Sequence, residues 1–213
     1  MDDYTRDQLH HYITELFAPE DDAQRWIQAE AARSALPAIS VRPYEGCMLQ
    51  WLAHTINARK IVEIGTLAGY SAVWLARALP ADGKLYTLER SSKHAQIARA
   101  SFARAGVADK IELLEGVALD SLRKLHALAP FDLVFVDADK GNLLHYMAWA
   151  LDNLRVGGML AAHNAFRSGR ILSPEDDDDR AMQVFNRALA EEKRLESTIL
   201  PVGDGMAVAI KRA

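Results

Sequence analysis

From Lys60 onward, short apolar runs alternate with stretches of helical periodicity, and this alternation restricts the fold more than any other feature of the chain. The runs are "KIVEIG", "KLYTLE", "KIELLEG", "FDLVFVD" and "GGMLAAHN". Each has the length of a buried strand, and helices are expected after them at 70–79, 93–105, 119–128, 143–154 and 179–195. Strict alternation of this kind requires right-handed crossovers and a parallel sheet covered on both faces. Two further runs, "ESTILPV" and "GMAVAIKR", flank the turn signal "GDG" and read as a hairpin. The expected fold is a doubly wound α/β sheet of seven strands, mostly parallel, with an antiparallel hairpin at its C-terminal end.

The first third is helical in pattern. Leu9, Tyr12, Ile13, Leu16 and Phe17 recur at three and four residues, and "APEDDAQRW" supplies a break and an acidic start for a second helix. Pro43 suits the first position of a third, whose apolar members are Met48, Leu49, Leu52 and Ile56. These helices read as packing or dimer surface. The expected organisation is one domain over 1–213, with a helical extension at 1–58 and an α/β core at 59–213.

Half of the 213 residues are hydrophobic, enough for a sizeable core. The net charge of −4 gives no global sign of a nucleic-acid or membrane surface. A single cysteine, Cys47, excludes an internal disulfide framework and a cysteine-rich zinc site; it reads as helix filler in a reducing compartment. The N-terminus lacks a basic start and apolar run, and no apolar stretch approaches the roughly 20 residues that span a bilayer. A soluble, cytoplasmic protein is expected. The run "EDDDD" at 175–179 falls before a helix, where negative charge offsets the positive first turn; a mobile flap is the alternative.

In an open parallel sheet, ligands lie beyond the carboxyl ends of the strands, so the residues that finish each strand carry the function. The first strand ends "VEIGTLAGYS". Gly65 there allows close backbone approach to a ligand, and the helix opening at Tyr70 and Ser71 offers free N–H groups. Many parallel sheets have such a turn without a ligand. Leu67 stands where the dinucleotide fingerprint requires its second glycine, which disfavours a nicotinamide-dependent oxidoreductase. Glu89 ends the second strand at the distance where an acidic residue takes ribose hydroxyls, so the two strand ends together favour a nucleoside-containing cofactor.

"VEIGTLAGYSAVWLARALPADGKLYTLE", "AGVADKIELLEGVALDSL", "FDLVFVDADKGN", "VGGMLAAHN" and "LPVGDGMAVAIK" occur in order over about 35–211. In these stretches the chain resembles the S-adenosylmethionine-dependent O-methyltransferases of the catechol and caffeoyl-CoA type. The resemblance implies a Rossmann-like class I methyltransferase fold, S-adenosylmethionine as cofactor, a divalent metal, and a homodimer. It implies that Glu63, Gly65 and Ser71 contact the methionine part, Glu89 the ribose and Ala118 the adenine end. Ser40 and Val41 match a segment that closes over the cofactor, though a helix-connecting turn explains them equally.

Asp137 ends the fourth strand, with Asp139 and Lys140 in the next turn. A buried carboxylate is costly unless paired or bound to a cation. The resemblance makes Asp137 a cofactor contact and the first metal ligand, and Lys140 the catalytic base. The remaining ligands it implies are the two residues after strand five, usually Asp-Asn and here His163-Asn164. Imidazole removes a negative charge and replaces oxygen by nitrogen, which suits transition metals better than magnesium. Three readings of His163 stay open: a ligand in an altered metal site, a proton acceptor in a metal-free site, or a strand-end residue that bonds a neighbour.

The implied activity is methyl transfer to a hydroxyl of a catechol-like or other small polyhydroxylated aromatic. A hydroxylated uridine in transfer RNA is a second acceptor the resemblance allows, and a non-catalytic cofactor binder is a third reading. The family's usual acid and tyrosine after the lysine are Gly141 and Leu143 here, although Asn142 is kept. Arg167, Arg170, Trp149 and Phe166 are placed around the acceptor, the arginines either meeting an anionic acceptor or solvated.

Overall fold

The computed structural model describes residues 3–212. Three helices come first: α1 (Asp3–Phe17), α2 (Asp22–Arg33) and α3 (Pro43–Thr55). Asp21 caps α2 by accepting from the Gln24 amide at 2.9 Å, while the Gln24 side chain accepts from the Asp21 amide at 3.1 Å. Reciprocal satisfaction of two free donors fixes where this helix begins. Pro43 opens α3, and the Glu45 carboxylate accepts from the Arg42 amide at 2.7 Å.

The alternating part forms β1 (Lys60–Ile64), α4 (Tyr70–Ala78), β2 (Lys84–Glu89), α5 (Ser92–Arg104), β3 (Ile111–Glu115) and α6 (Ala118–Leu125). It continues with β4 (Phe131–Val136), α7 (Leu143–Asn153), β5 (Leu154–His163), α8 (Asp177–Glu191), β6 (Leu195–Leu200) and β7 (Met206–Lys211). One seven-stranded sheet results, in the order β3-β2-β1-β4-β5-β7-β6. β1 to β5 are parallel, and β7 runs antiparallel to both β5 and β6, as expected for the hairpin.

Side chains alternate across the pleat, so each inner strand feeds two apolar layers. Ile61, Leu133, Phe135, Met159 and Ala161 pack with α3, α4 and α5 on one face. Val62, Ile64, Val134, Leu160 and Ala162 pack with α6, α7 and α8 on the other. Burial on both faces explains why these strands read as unbroken apolar runs.

Two expectations are corrected. The last long helix begins at Asp177 rather than 179, because Asp176 caps it by accepting from the Asp179 amide at 2.7 Å. It ends at Glu191, since Leu195 is already committed to β6. Of the two roles open to α1, packing or dimer surface, its apolar stripe leaves the second available: Leu9, Tyr12, Ile13, Leu16 and Phe17 are exposed. Cys47 in α3 donates its thiol to the Phe17 carbonyl at 3.3 Å. No helix among the described residues is long and apolar enough to cross a membrane.

Candidate active site

The strand order reverses between β1 and β4, and the two strand tips stand together there: the Asp137 amide donates to the Ile64 carbonyl at 2.9 Å. Crossovers leave this switch point in opposite directions and open a crevice. Gly65 has φ +99°, and a Cβ at that position would overlap the Asp137 carbonyl oxygen. Only glycine lets the two tips approach so closely. The crevice widens into a cleft of about 1420 Å³ whose walls include Val41, Gly65, Ser71, Glu89, Ala118 and Asp137.

Glu63 is fully buried and stands one layer beneath the wall. Its Oε1 accepts from the Ser71 hydroxyl at 2.6 Å and its Oε2 from the Thr87 hydroxyl at 2.5 Å. Burial pushes its carboxyl up to about 8, although the two hydroxyl bonds pull the other way. Glu63 thereby fixes the Ser71 side chain at the start of α4. Glu89 ends β2 facing the cleft; its oxygens accept from the Leu67 amide at 2.8 Å and the Ser91 amide at 2.8 Å. A carboxylate has about four lone-pair sites, so capacity remains for further hydroxyl donors.

Across the switch point, the register that pairs Val136 with Ala162 places His163 beside Asp137. His163 Nε2 lies 2.9 Å from Glu45 Oε1 and Nδ1 lies 3.4 Å from Asp137 Oδ2. Burial lowers the affinity of this ring for its proton, but the nearby Asp137 and Glu45 carboxylates outweigh it and push the pKa up to about 10; Nδ1 has no hydrogen-bond partner. Asp137 responds in the opposite sense. Burial raises its carboxyl, yet His163 and Lys140 together hold it below the usual carboxylate range. Lys140 Nζ stands 3.7 Å from Asp137 Oδ1 and donates to Asn164 Oδ1 at 3.4 Å. Asn164 takes φ +63°, a left-handed turn that asparagine tolerates better than most side chains.

The sequence profile of the O-methyltransferase family matches residues 17–212. The chain belongs to the O-methyltransferase family. A catechol O-methyltransferase of Niastella koreensis is 41% identical over 220 residues, covering 99% of each chain. Among solved structures, the O-methyltransferase TomG from Streptomyces achromogenes, in complex with SAM, superposes with a TM-score of 0.93 at 34% identity and full coverage of both chains. The O-methyltransferase from Bacillus cereus, in complex with SAH, gives 0.91 at 37% identity, covering 96% of this chain and 97% of that one.

In this O-methyltransferase the three residues implied as metal ligands converge: His163 Nδ1, a buried atom with no hydrogen-bond partner, stands 3.4 Å from Asp137 Oδ2. Together with Asn164 Oδ1 these are the donors that would hold a divalent ion. Lys140 Nζ stands beside them, 3.7 Å from Asp137 Oδ1 and 3.4 Å from Asn164 Oδ1. Among the described residues no group of three or more histidines, cysteines and carboxylates is arranged to hold a metal.

Other residues depart from their sequence readings. Trp149 is not in the cleft of the O-methyltransferase. It packs on Phe131, ring centroids 5.5 Å apart, and donates Nε1 to the Leu122 carbonyl at 3.0 Å, because α7 turns that face toward α6. Phe166 does line the cleft. Arg167 and Arg170 also line it, and both are tied down by donating to Asp179, at 2.8 Å each from Nε. Asp179 is fully buried, and Arg170 first, then Arg167, hold its carboxyl far below the usual range. The acidic run is therefore both helix start and loop anchor.

Three contributors went unseen in the sequence. Glu45 had only the signature of a helix-start acid, three residues after the cap. Asp204 lay in a stretch read as a turn, yet it accepts from Asn164 Nδ2 at 3.1 Å and the Ser168 amide at 2.6 Å. His10 of α1 stacks on Tyr44 with ring centroids 4.6 Å apart and reaches the cleft, so the N-terminal helix roofs the site as well as presenting an outer face.

Proposed function

We propose that this O-methyltransferase moves the methyl group of S-adenosylmethionine to a hydroxyl of a small polyhydroxylated aromatic of the catechol class. The observation that carries the reading is the position of Lys140 Nζ, buried at the strand-end cluster yet lining the cleft opposite the Gly65–Glu89 wall. The cleft is larger than the roughly 300–1,000 Å³ usual for one ligand, which suits a cofactor and an acceptor side by side. The cofactor bound in TomG and the substrate named for the Niastella koreensis relative point the same way.

The donor set fits the cofactor. Gly65 opens the wall to close approach, the Ser71 hydroxyl is fixed by Glu63 beside it, and Glu89 offers a carboxylate to a pair of ribose hydroxyls. Val41 and Ala118 supply apolar wall toward the adenine. When bound, the cofactor supplies an electrophilic methyl carbon on a sulfonium, which a hydroxyl oxygen displaces with the bonding pair left on sulfur. A phenol, with a pKa near 10, needs help to become a nucleophile at neutral pH. Lys140 gives it: as the amine, Nζ takes the hydroxyl proton, and the ammonium that forms pairs with Asp137, Asn164 and the oxyanion. His163 is not the proton acceptor in this reading, because its Nε2 is engaged by buried Glu45 and its Nδ1 faces Asp137. Asp137, His163 and Asn164 would hold a divalent ion, which when bound would ease ionisation of the acceptor hydroxyl.

A hydroxylated uridine in transfer RNA draws no support from the site. A homodimer is supported by the exposed apolar stripe on α1 and by exposed Trp51 of α3.

Incubation with S-adenosylmethionine and catechol, followed by mass spectrometry, tests the reading. Monomethylated catechol and S-adenosylhomocysteine should appear in equal amounts. Tight cofactor binding with no product from any vicinal dihydroxy aromatic would sink the acceptor class.

A further inference from the structure

We propose that Tyr44 and Arg42 form a subsite for a carboxylate on the acceptor, so that this O-methyltransferase selects vicinal dihydroxy aromatics bearing an acid group over neutral ones. The proposal rests on the O-methyl-transfer reading above and deepens it.

Tyr44 stands in the first turn of α3 and lines the cleft with only 6% of its surface exposed. Its hydroxyl is buried and has no hydrogen-bond partner within the chain. A buried hydroxyl left alone is costly, and at a cleft wall the missing partner is one that a ligand can supply. Burial, then Glu45, pushes the phenol up to about 12, so at neutral pH it meets that ligand as a donor.

The surroundings make the ligand group an anion. Arg42, two residues earlier, is exposed on the cleft wall and has no ion pair among the described residues. Arg6 of α1 lines the same cleft. The His10 ring stacks on Tyr44, and burial first, then Arg42 and Arg6, lowers its pKa, which marks positive potential under the α1 roof. The negative groups near the phenol are Asp7 and Glu45, and Glu45 is committed to His163 Nε2 at 2.9 Å. A guanidinium beside a hydroxyl donor suits a carboxylate, which accepts from both.

The chain also says which end of the cleft the anion occupies. Tyr44 precedes Glu45, whose carboxylate reaches the end of β5, the strand end that presents Asn164 to Lys140. The acceptor would then lie with its hydroxyls at Lys140 and its acid group beneath α1.

The test compares 3,4-dihydroxybenzoate with its methyl ester at saturating S-adenosylmethionine. Wild type should favour the acid by about 10- to 100-fold in kcat/KM, the order of one or two charge-assisted hydrogen bonds, with the difference in KM. Tyr44→Phe and Arg42→Gln should each cut that preference by about tenfold. Equal use of acid and ester by wild type, or a preference that survives both variants, overturns the proposal. S-adenosylhomocysteine affinity, by calorimetry, should stay within about threefold in both variants. A loss confined to that affinity assigns the subsite to the cofactor's own carboxylate and overturns the acceptor assignment.

If no acceptor is methylated, the transfer reading fails, and binding of acid against ester to the complex of the protein with S-adenosylhomocysteine decides the subsite by the same ratios. Tyr44→Phe removes a hydroxyl that bonds nothing in the chain. Should it still fail to fold, Arg42→Gln, on an exposed side chain, decides the question alone.

Discussion

Asn164 donates its Nδ2 to Asp204 Oδ2 at 3.1 Å, and this turns its Oδ1 toward Lys140 Nζ at 3.4 Å. Asp204 therefore decides which end of the amide the lysine meets. Asp204→Ala frees the amide to rotate and unties the Ser168 amide, and kcat should fall about tenfold, the order of one charge-assisted hydrogen bond. Cofactor affinity, measured by calorimetry, should be unchanged, because Asp204 is on the acceptor side.

Lys140→Ala removes the proton acceptor. A positioned base is worth about 10² to 10⁴ in rate, so the barrier should rise by about 3 to 5 kcal/mol. Turnover at saturating acceptor and cofactor is the measurement, and a loss of tenfold or less would refute the base role.

Glu63 gives a pH-dependent stability of defined sign. Its folded carboxyl is raised to about 8 by burial, so its contribution is full below the unfolded value near 4.3 and is lost as pH rises through about 8. Cofactor-free protein should lose melting temperature between about pH 4.5 and pH 8, the window of that shift, and level off above it. Glu63→Gln, which cannot ionise, should flatten the profile; an identical slope in both proteins would show that other groups cause it.

The anchor at Asp179 has the opposite sign. Its carboxyl is depressed by Arg170 and Arg167, so its contribution is present above the unfolded value near 3.9 and lost as pH falls below it. Asp179→Ala should lower the melting temperature at pH 7 and loosen the 166–172 loop, seen as faster hydrogen exchange. The gap from wild type should narrow below about pH 4.

Leu16→Glu places a charge in the exposed stripe of α1. Light scattering should report a monomer where wild type is a dimer, since a buried unpaired carboxylate opposes association. A wild-type monomer would remove the dimer from the reading.

The strands and their order of occurrence were legible because burial on both faces leaves long apolar runs, and strand ends announce themselves as Gly65, Glu89, Asp137 and His163. The run 175–179 was legible as a helix start, but not that one aspartate in it caps α8 and another is buried under two arginines. Trp149 was misplaced because an aromatic residue near a strand end carries no mark of the face its helix presents. The stripe of α1 was legible as amphipathic, but periodicity cannot say whether the partner is this chain or another.

By itself the sequence determined the architecture and the location of the chemistry, because periodicity and strand termination are local properties and parallel sheets bind ligands at one edge. Only the tertiary structure decided what His163 is. Its state depends on Glu45, which arrives from 118 residues away on a helix outside the alternating core, and on Asp137, which the β4–β5 register places alongside. An imidazole with one nitrogen bonded to a buried carboxylate and the other left without a partner beside Asp137 is a different chemical group from a free strand-end histidine, and that distinction exists only where the three side chains meet.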